Sequence, residues 1–154
     1  MAEEEMPAEG EAPPEPVQDT RVVIWTTERD NVAVSRPALG VAVDAAFLAR
    51  CPPGALVVEA ASLPDSQVFF DAWRLVDGVI AVDLVAARAI RQQQLNDLAM
   101  LAARQRADRA AIGLPLAMSA EAFQAALADK RAAIAAAGDV TALQAIALDD
   151  VAGA

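Results

Sequence analysis

The fold turns on "LPDSQVFFDAWRLVDGVIAVDLVAARAI", residues 63–90. Within this stretch the residue pattern changes period. Trp73–Val76 and Val79–Leu84 are rich in β-branched and aromatic residues, which suit a pleated strand. Asp77–Gly78 between them is a strong hairpin signal, because both central positions of a tight two-residue turn need positive φ. Upstream, Leu63–Ala72 opens with turn chemistry and has room for one helical turn. From Asp83 onward the spacing becomes helical. Leu84, Ala87, Ile90, Leu95, Leu98, Leu101 and Ala102 fall within an arc of about 140° on a 100° wheel. Asp83 is placed to cap that helix. Strands before this point and helices after it define an α+β chain.

Working toward the N-terminus, "ALVVEAA" (Ala55–Ala61) reads as a strand, and "VAVDAAFLARC" (Val41–Cys51) as a short helix with Val43 and Phe47 on one face. Pro52, Pro53 and Gly54 end that helix. "RVVIWTT" (Arg21–Thr27), "ERDN" and "VAVSRP" (Val32–Pro37) read as strand, turn and returning strand. Residues 1–19 are Pro-, Glu- and Ala-rich, a composition that cannot offset the entropy of ordering, so they are expected to be a disordered acidic tail.

Working toward the C-terminus, the long helix is expected to run from Leu84 to about Ala111 and to stop near Gly113 and Pro115. Arg91, Gln94, Gln105 and Arg109 interrupt its apolar line. Ser119 caps a second helix, Ala120–Ala137, with Glu121 in its first turn and Phe123, Ala126, Leu127 and Ile134 as its stripe. Gly138 suits the C′ position. Asp139 caps a last short helix carrying Leu143 and Ile146. The expected organisation is a tail (1–19), a small β-rich unit with one short helix (20–83) and an α-helical hairpin (84–150).

The 154 residues carry a formal charge of −10, but Glu3, Glu4, Glu5, Glu9, Glu11, Glu15 and Asp19 account for much of it in a segment without Lys or Arg. What remains is nearly balanced. It offers no basic patch to displace counterions, so nucleic acid is not an expected partner. No apolar run is long enough to span a bilayer, and the acidic N-terminus is unlike a signal peptide, so the default location is the cytosol. Hydrophobic residues make up 56% of the chain but aromatics only 4%. Much of the apolar content is alanine, which favours helix and buries little area.

Catalytic chemistry is poorly supplied. Histidine is absent, which removes the commonest general base and a common metal ligand. Cys51 stands alone, so it can form neither an internal disulfide nor a thiolate cage. It reads as buried filler. Asp71, Asp77 and Asp83 recur, and Asp149 and Asp150 adjoin, but neither spacing is that of a calcium loop. Turn, cap and frayed-tail roles suit them better. The glycines are scattered near expected breaks and form no phosphate cradle. No catalytic residue, cofactor or metal is expected. The aromatic group Phe69, Phe70 and Trp73 is either an exposed hot spot or a seam. With so few large side chains available, we expect Phe70 and Trp73 to anchor the sheet to the long helix.

The "PPGALVVEAASLPDSQVFFDAWRL" block, the "GVIAVDLVAARAIRQQQLNDLA" helix start and the "AAIAAAGDVTALQAI" break together resemble small phage and prophage proteins found beside tail-fibre genes. These are described as tail-fibre assembly chaperones or tail accessory proteins. The matching pieces are Pro53–Gly54, Leu63–Pro64, Phe69-x-x-Ala72-Trp73 and Ala137–Asp139, within residues 21–147. The second helix here begins "GLPLAMSAEAF", where that family has an aromatic, Asp-containing start. The resemblance implies a non-enzymatic protein that masks apolar surface of a phage tail-fibre or other tail protein in the bacterial host cytoplasm. The stripe Leu95, Leu98, Leu101, Phe123, Leu127 and Ile134 would be the contact, with homo-oligomers possible. The alternative is a structural virion component of the tail or fibre-attachment region.

Overall fold

The computed structural model describes residues 18–65 and 67–152. Of the disordered tail expected over residues 1–19, residues 1–17 lie outside the described residues, while Gln18 and Asp19 are held against the fold, Gln18 Nε2 donating to Pro37 O (3.3 Å) and Asp19 accepting from Val43 N–H (2.8 Å). The chain is α+β, with small antiparallel sheets followed by a long helical arm.

β1 (Arg21–Thr26) is the central strand of a three-stranded antiparallel sheet. It pairs with β2 (Val32–Ser35), Ile24 opposite Val34, and with β3 (Leu56–Glu59), Ile24 opposite Leu56. The β1–β2 turn closes through Asp30 N–H to Thr27 O (3.0 Å) and Thr27 N–H to Asn31 O (2.8 Å), with Asp30 at φ 62°. Asp tolerates that left-handed conformation better than most residues. Val22, Val23 and Ile24 are all buried because both faces of β1 are covered. Val22 and Ile24 pack with Leu63 and Trp73. On the other face, Trp25 and Ser35 share a cleft with Phe47 and Cys51.

α1 is shorter than expected, a single turn at Ala45–Leu48 capped by Asp44, whose carboxylate accepts from Phe47 N–H at 2.9 Å. An Asp at position 44 offers the backbone a cap rather than a helix interior, so Val43 is buried ahead of the turn instead of on its face. Cys51 is half-buried, not fully enclosed, and its thiol donates to Phe47 O at 3.6 Å. Asp19 ties this region to β1. Its carboxylate accepts from Arg21 N–H (2.9 Å), Arg21 Nη2 (2.7 Å) and Val43 N–H (2.8 Å). The Arg21 guanidinium and the two backbone donors hold the Asp19 carboxyl well below the usual carboxylate range.

β4 (Trp73–Val76) and β5 (Val79–Val82) form the expected hairpin, Trp73 opposite Val82. Asp77 (φ 50°) and Gly78 (φ 80°) occupy the two turn positions. The preceding residues 67–72 coil as 3₁₀ turns and divide their aromatics differently from the expected Phe70–Trp73 pair. Phe69 and Trp73 are fully buried, whereas Phe70 stays 37% exposed and tilts against Trp73 at 4.9 Å between centroids. The anchoring pair is therefore Phe69 and Trp73. Phe69 joins the helical core and Trp73 the sheet core. Val82 packs against both, and Asp83 N–H donates to Ala72 O at 2.8 Å.

α2 (Leu84–Ala111) begins at Asp83, whose carboxylate accepts from Val85 and Ala86 N–H. α3 (Ala120–Ala136) begins at Ser119, whose hydroxyl accepts from Ala122 N–H at 3.1 Å. It ends without a left-handed glycine. Ala137 is extended (φ −57°, ψ 119°), and Gly138 keeps a negative φ region open to other residues. The side chain of Arg88 binds Ala137 O instead (Nη2 2.6 Å, Nε 3.2 Å). α4 (Val140–Gln144) is capped by Asp139 and buries Leu143. Asp149 and Asp150 do not lie in a frayed tail. α5 (Asp149–Ala152) is a helical turn that buries Leu148 and Val151 in the main core, with Asp150 2.8 Å from Lys130 Nζ.

Candidate functional site

Four of the six residues expected to meet a partner are enclosed by the chain's own helices. Leu95, Phe123, Leu127 and Ile134 are buried together with Ala87, Ala102 and Leu143. Leu98 is half-buried against the same cluster, and only Leu101 is well exposed, at 50%. The reason is geometric. A short loop brings α2 and α3 back alongside each other, so their apolar stripes face inward, and α4 and α5 close the remaining side. That stripe is core.

Open apolar side chains are scattered over the described residues, among them Leu39, Val76, Val79 and Val85, but one group is close-set along an ordered loop at the far end of the arm. Ile112 is 73% exposed, Leu114 46% and Leu116 39%. All three belong to the short segment joining α2 to α3. Met100 and Leu101 add exposed apolar area further back along α2.

This tip is held from several directions. Gly113 (φ 72°) ends α2 with Gly113 N–H to Ala110 O (3.1 Å) and Leu114 N–H to Arg109 O (2.9 Å). These are the paired bonds of a Schellman cap, and they need a residue free to adopt positive φ. Arg109 donates Nε (3.2 Å) and Nη2 (3.0 Å) to Pro115 O. Arg106 donates Nη2 to Met118 O at 2.9 Å and lies 5.1 Å from the Phe123 ring centroid, a cation–π contact. Arg106 is buried although charged, and its Nη1 has no partner among the described residues. Ser119 caps the next helix. The loop backbone is thus fixed while its three aliphatic side chains point away from cover.

Such a loop is suited to binding rather than bond-making. A preset backbone lowers the ordering cost of association. Covering the open parts of three aliphatic side chains contributes on the order of 3 kcal/mol. In the sequence, Gly113 and Pro115 mark "AIGLPLAM" as a helix stop. Its three aliphatic residues, interleaved with Gly and Pro where a loop ordinarily carries polar ones, are the local signal of an exposed contact.

Of the acidic residues weighed for cation binding, Asp77 makes the β4–β5 turn, Asp83 caps α2 and Asp150 pairs with Lys130. Among the described residues no three His, Cys, Asp or Glu side chains gather as a metal site. Among them, too, no helix is long and apolar enough to cross a membrane. Comparison with family models, curated proteins and solved structures finds no match.

Proposed function

We propose that this is a non-enzymatic partner-binding protein, and that the hairpin tip is its contact surface. The observation that carries the reading is the exposure of Ile112, Leu114 and Leu116 on a loop fixed by a Schellman cap and by Arg106 and Arg109. Exposed aliphatic side chains on an ordered loop do little for the fold and carry an aggregation risk, which a docking role would explain. The sequence resemblance supplies the partner's class: a phage or prophage tail-fibre or other tail polypeptide, masked during assembly in the bacterial cytoplasm. The site of masking moves from the helical stripe to the tip, because the stripe is core.

Co-expression with a phage tail-fibre polypeptide tests this. The wild-type chain is expected to raise fibre solubility, and the I112S/L114S/L116S variant to lose most of that gain at an unchanged melting temperature. Equal fibre solubility with and without the wild-type chain would sink the chaperone role. Full activity of the triple variant would remove the tip from it.

A further inference from the structure

A second feature stands apart from the tip and does not depend on its role. α1 is a single turn, too short to cover the face of β1 that points away from Leu63 and Trp73. What it leaves uncovered is a cleft of about 490 Å³ lined by Trp25, Ser35, Phe47, Arg50, Cys51 and Pro52. The register sets Val23 opposite Ser35 and Trp25 opposite Ala33, so Trp25 and Ser35 share that face of the sheet. Trp25 and Phe47 are both half-buried: each meets the fold on one side and the cleft on the other. A chain with four Phe, two Trp and no Tyr thus leaves two of its few rings partly open in one place, where aromatic side chains ordinarily serve the core. The chain also enters the fold beside this cleft. Asp19 accepts from Val43 N–H just ahead of α1, and Gln18 donates to Pro37 O, two residues beyond Ser35.

We propose that this cleft is a proline-recognition site whose occupant is the chain's own segment "EAPPEPV", residues 11–17, with Pro13, Pro14 and Pro16 packed on the rings of Trp25 and Phe47. A polyproline II segment has fixed φ and no internal hydrogen bonds, so it loses little entropy on seating, and aromatic-lined grooves take such segments. The reach matches. Pro16, Pro14 and Pro13 lie about 6, 12 and 16 Å back along such a segment from Gln18. Ser35 and Ala33, the latter opposite Trp25, lie about 7 and 13 Å back along β2 from Pro37, which Gln18 holds. The charge matches as well. Glu11 and Glu15 are the charged residues of the segment, no acidic residue lines the cleft, and Arg50 stands at its rim with Nε donating to Ala46 O at 3.3 Å. Ring packing selects the segment and Arg50 adds to it. Seated in this way, residues 11–17 are a tethered competitor, which a proline-rich segment of any other protein has to displace.

The test compares the full-length chain with its P13A/P14A/P16A variant, whose changes all lie outside the sheet and helices. Cys51 is the one cysteine of the chain and lines the cleft, so its alkylation by uncharged iodoacetamide reports cover. Alkylation is expected to be about tenfold faster in the variant at an unchanged melting temperature, as a cleft open only about a tenth of the time in the wild type implies. In ¹⁵N-labelled protein the Trp25 indole cross-peak, identified by its loss in W25F, is expected to move in the same variant while that of Trp73 stays. The triple change E3Q/E4Q/E5Q, which alters charge and keeps the prolines, is expected to leave both readouts at their wild-type values. The proposal is overturned by equal alkylation rates in wild type and proline variant, by a Trp25 cross-peak that does not move, or by the same response to E3Q/E4Q/E5Q. Protection of Cys51 that grows with protein concentration would assign the cleft to the segment of a second copy and overturn it as well.

Discussion

Arg88, Arg91, Arg106 and Arg109 lie along one side of α2, the outer pairs about five turns apart. Each reaches a backbone carbonyl on the returning chain: Ala137, Ile146, Met118 and Pro115 respectively. These carbonyls sit at the breaks between the later helices, where regular hydrogen bonding stops and oxygens are left to be satisfied. Arg91 sits low enough that burial lowers its pKa, and its Nε has no partner among the described residues. What interrupts the apolar stripe in the sequence is therefore what seals the helix ends in space. Replacing Arg88 by alanine removes two donors from Ala137 O at the C-terminus of α3. A loss of about 1–2 kcal/mol in chemical denaturation is expected, with lysine restoring only part of it because it cannot fork. Asp19 provides a pH-dependent counterpart. Its pKa is lowered in the folded state, so its contribution is present above the unfolded value, near 4, and is lost as pH falls toward the folded value. D19N is expected to melt earlier than wild type at pH 7, and the gap should narrow in thermal melts taken progressively below pH 4.

At the scale of elements, α2 shows how one helix can carry two kinds of leucine. Leu95 is fully enclosed, whereas Leu101 is half-exposed, although both belong to the same arc on the helical wheel. The arc is wider than the face α3 and the C-terminal turns can cover, so its rim stays wet. L95A is expected to cost about 3 kcal/mol, since a buried cavity is left, while L101A should stay within about 0.5 kcal/mol of wild type. Urea titrations of the two variants side by side check this, and similar losses would contradict the packing described. The boundaries of most elements were legible because their signals are local. Asp77–Gly78, Asp83, Ser119 and Asp139 each act through bonds to neighbours within a few residues, and all four stand where the sequence places them. Gly138 was misleading for the complementary reason. The end of α3 is satisfied by Arg88, forty-nine positions away, which no local pattern announces.

At the scale of the whole molecule, two hydrophobic clusters meet at Val82, one under the sheet and one inside the helical arm. Leu148 and Val151 belong to the second cluster, so the last described turn closes the arm and packs against α2 and α3. V151S is expected to lower stability by about 2 kcal/mol, read from the shift of the urea midpoint at constant slope. A midpoint within error of wild type would mean that the turn is loosely attached. The same enclosure decides where a partner can dock. With Leu95, Phe123, Leu127 and Ile134 taken up by the core, the helical stripe is closed to a partner, and the tip keeps three aliphatic side chains open on one ordered loop.

By itself the sequence determined the α+β order, the hairpin at Asp77–Gly78, and the start of each helix from α2 to α4, because turns, caps and periodicity act through neighbouring residues. Tertiary structure alone decided which of the apolar residues face solvent. Whether Phe69 or Phe70 is enclosed, whether the Leu95 stripe meets its own chain or another, and whether Val151 is anchored all depend on contacts between segments far apart in the chain. A helical wheel assigns a residue to a face. Only the packed neighbour decides whether that face is covered.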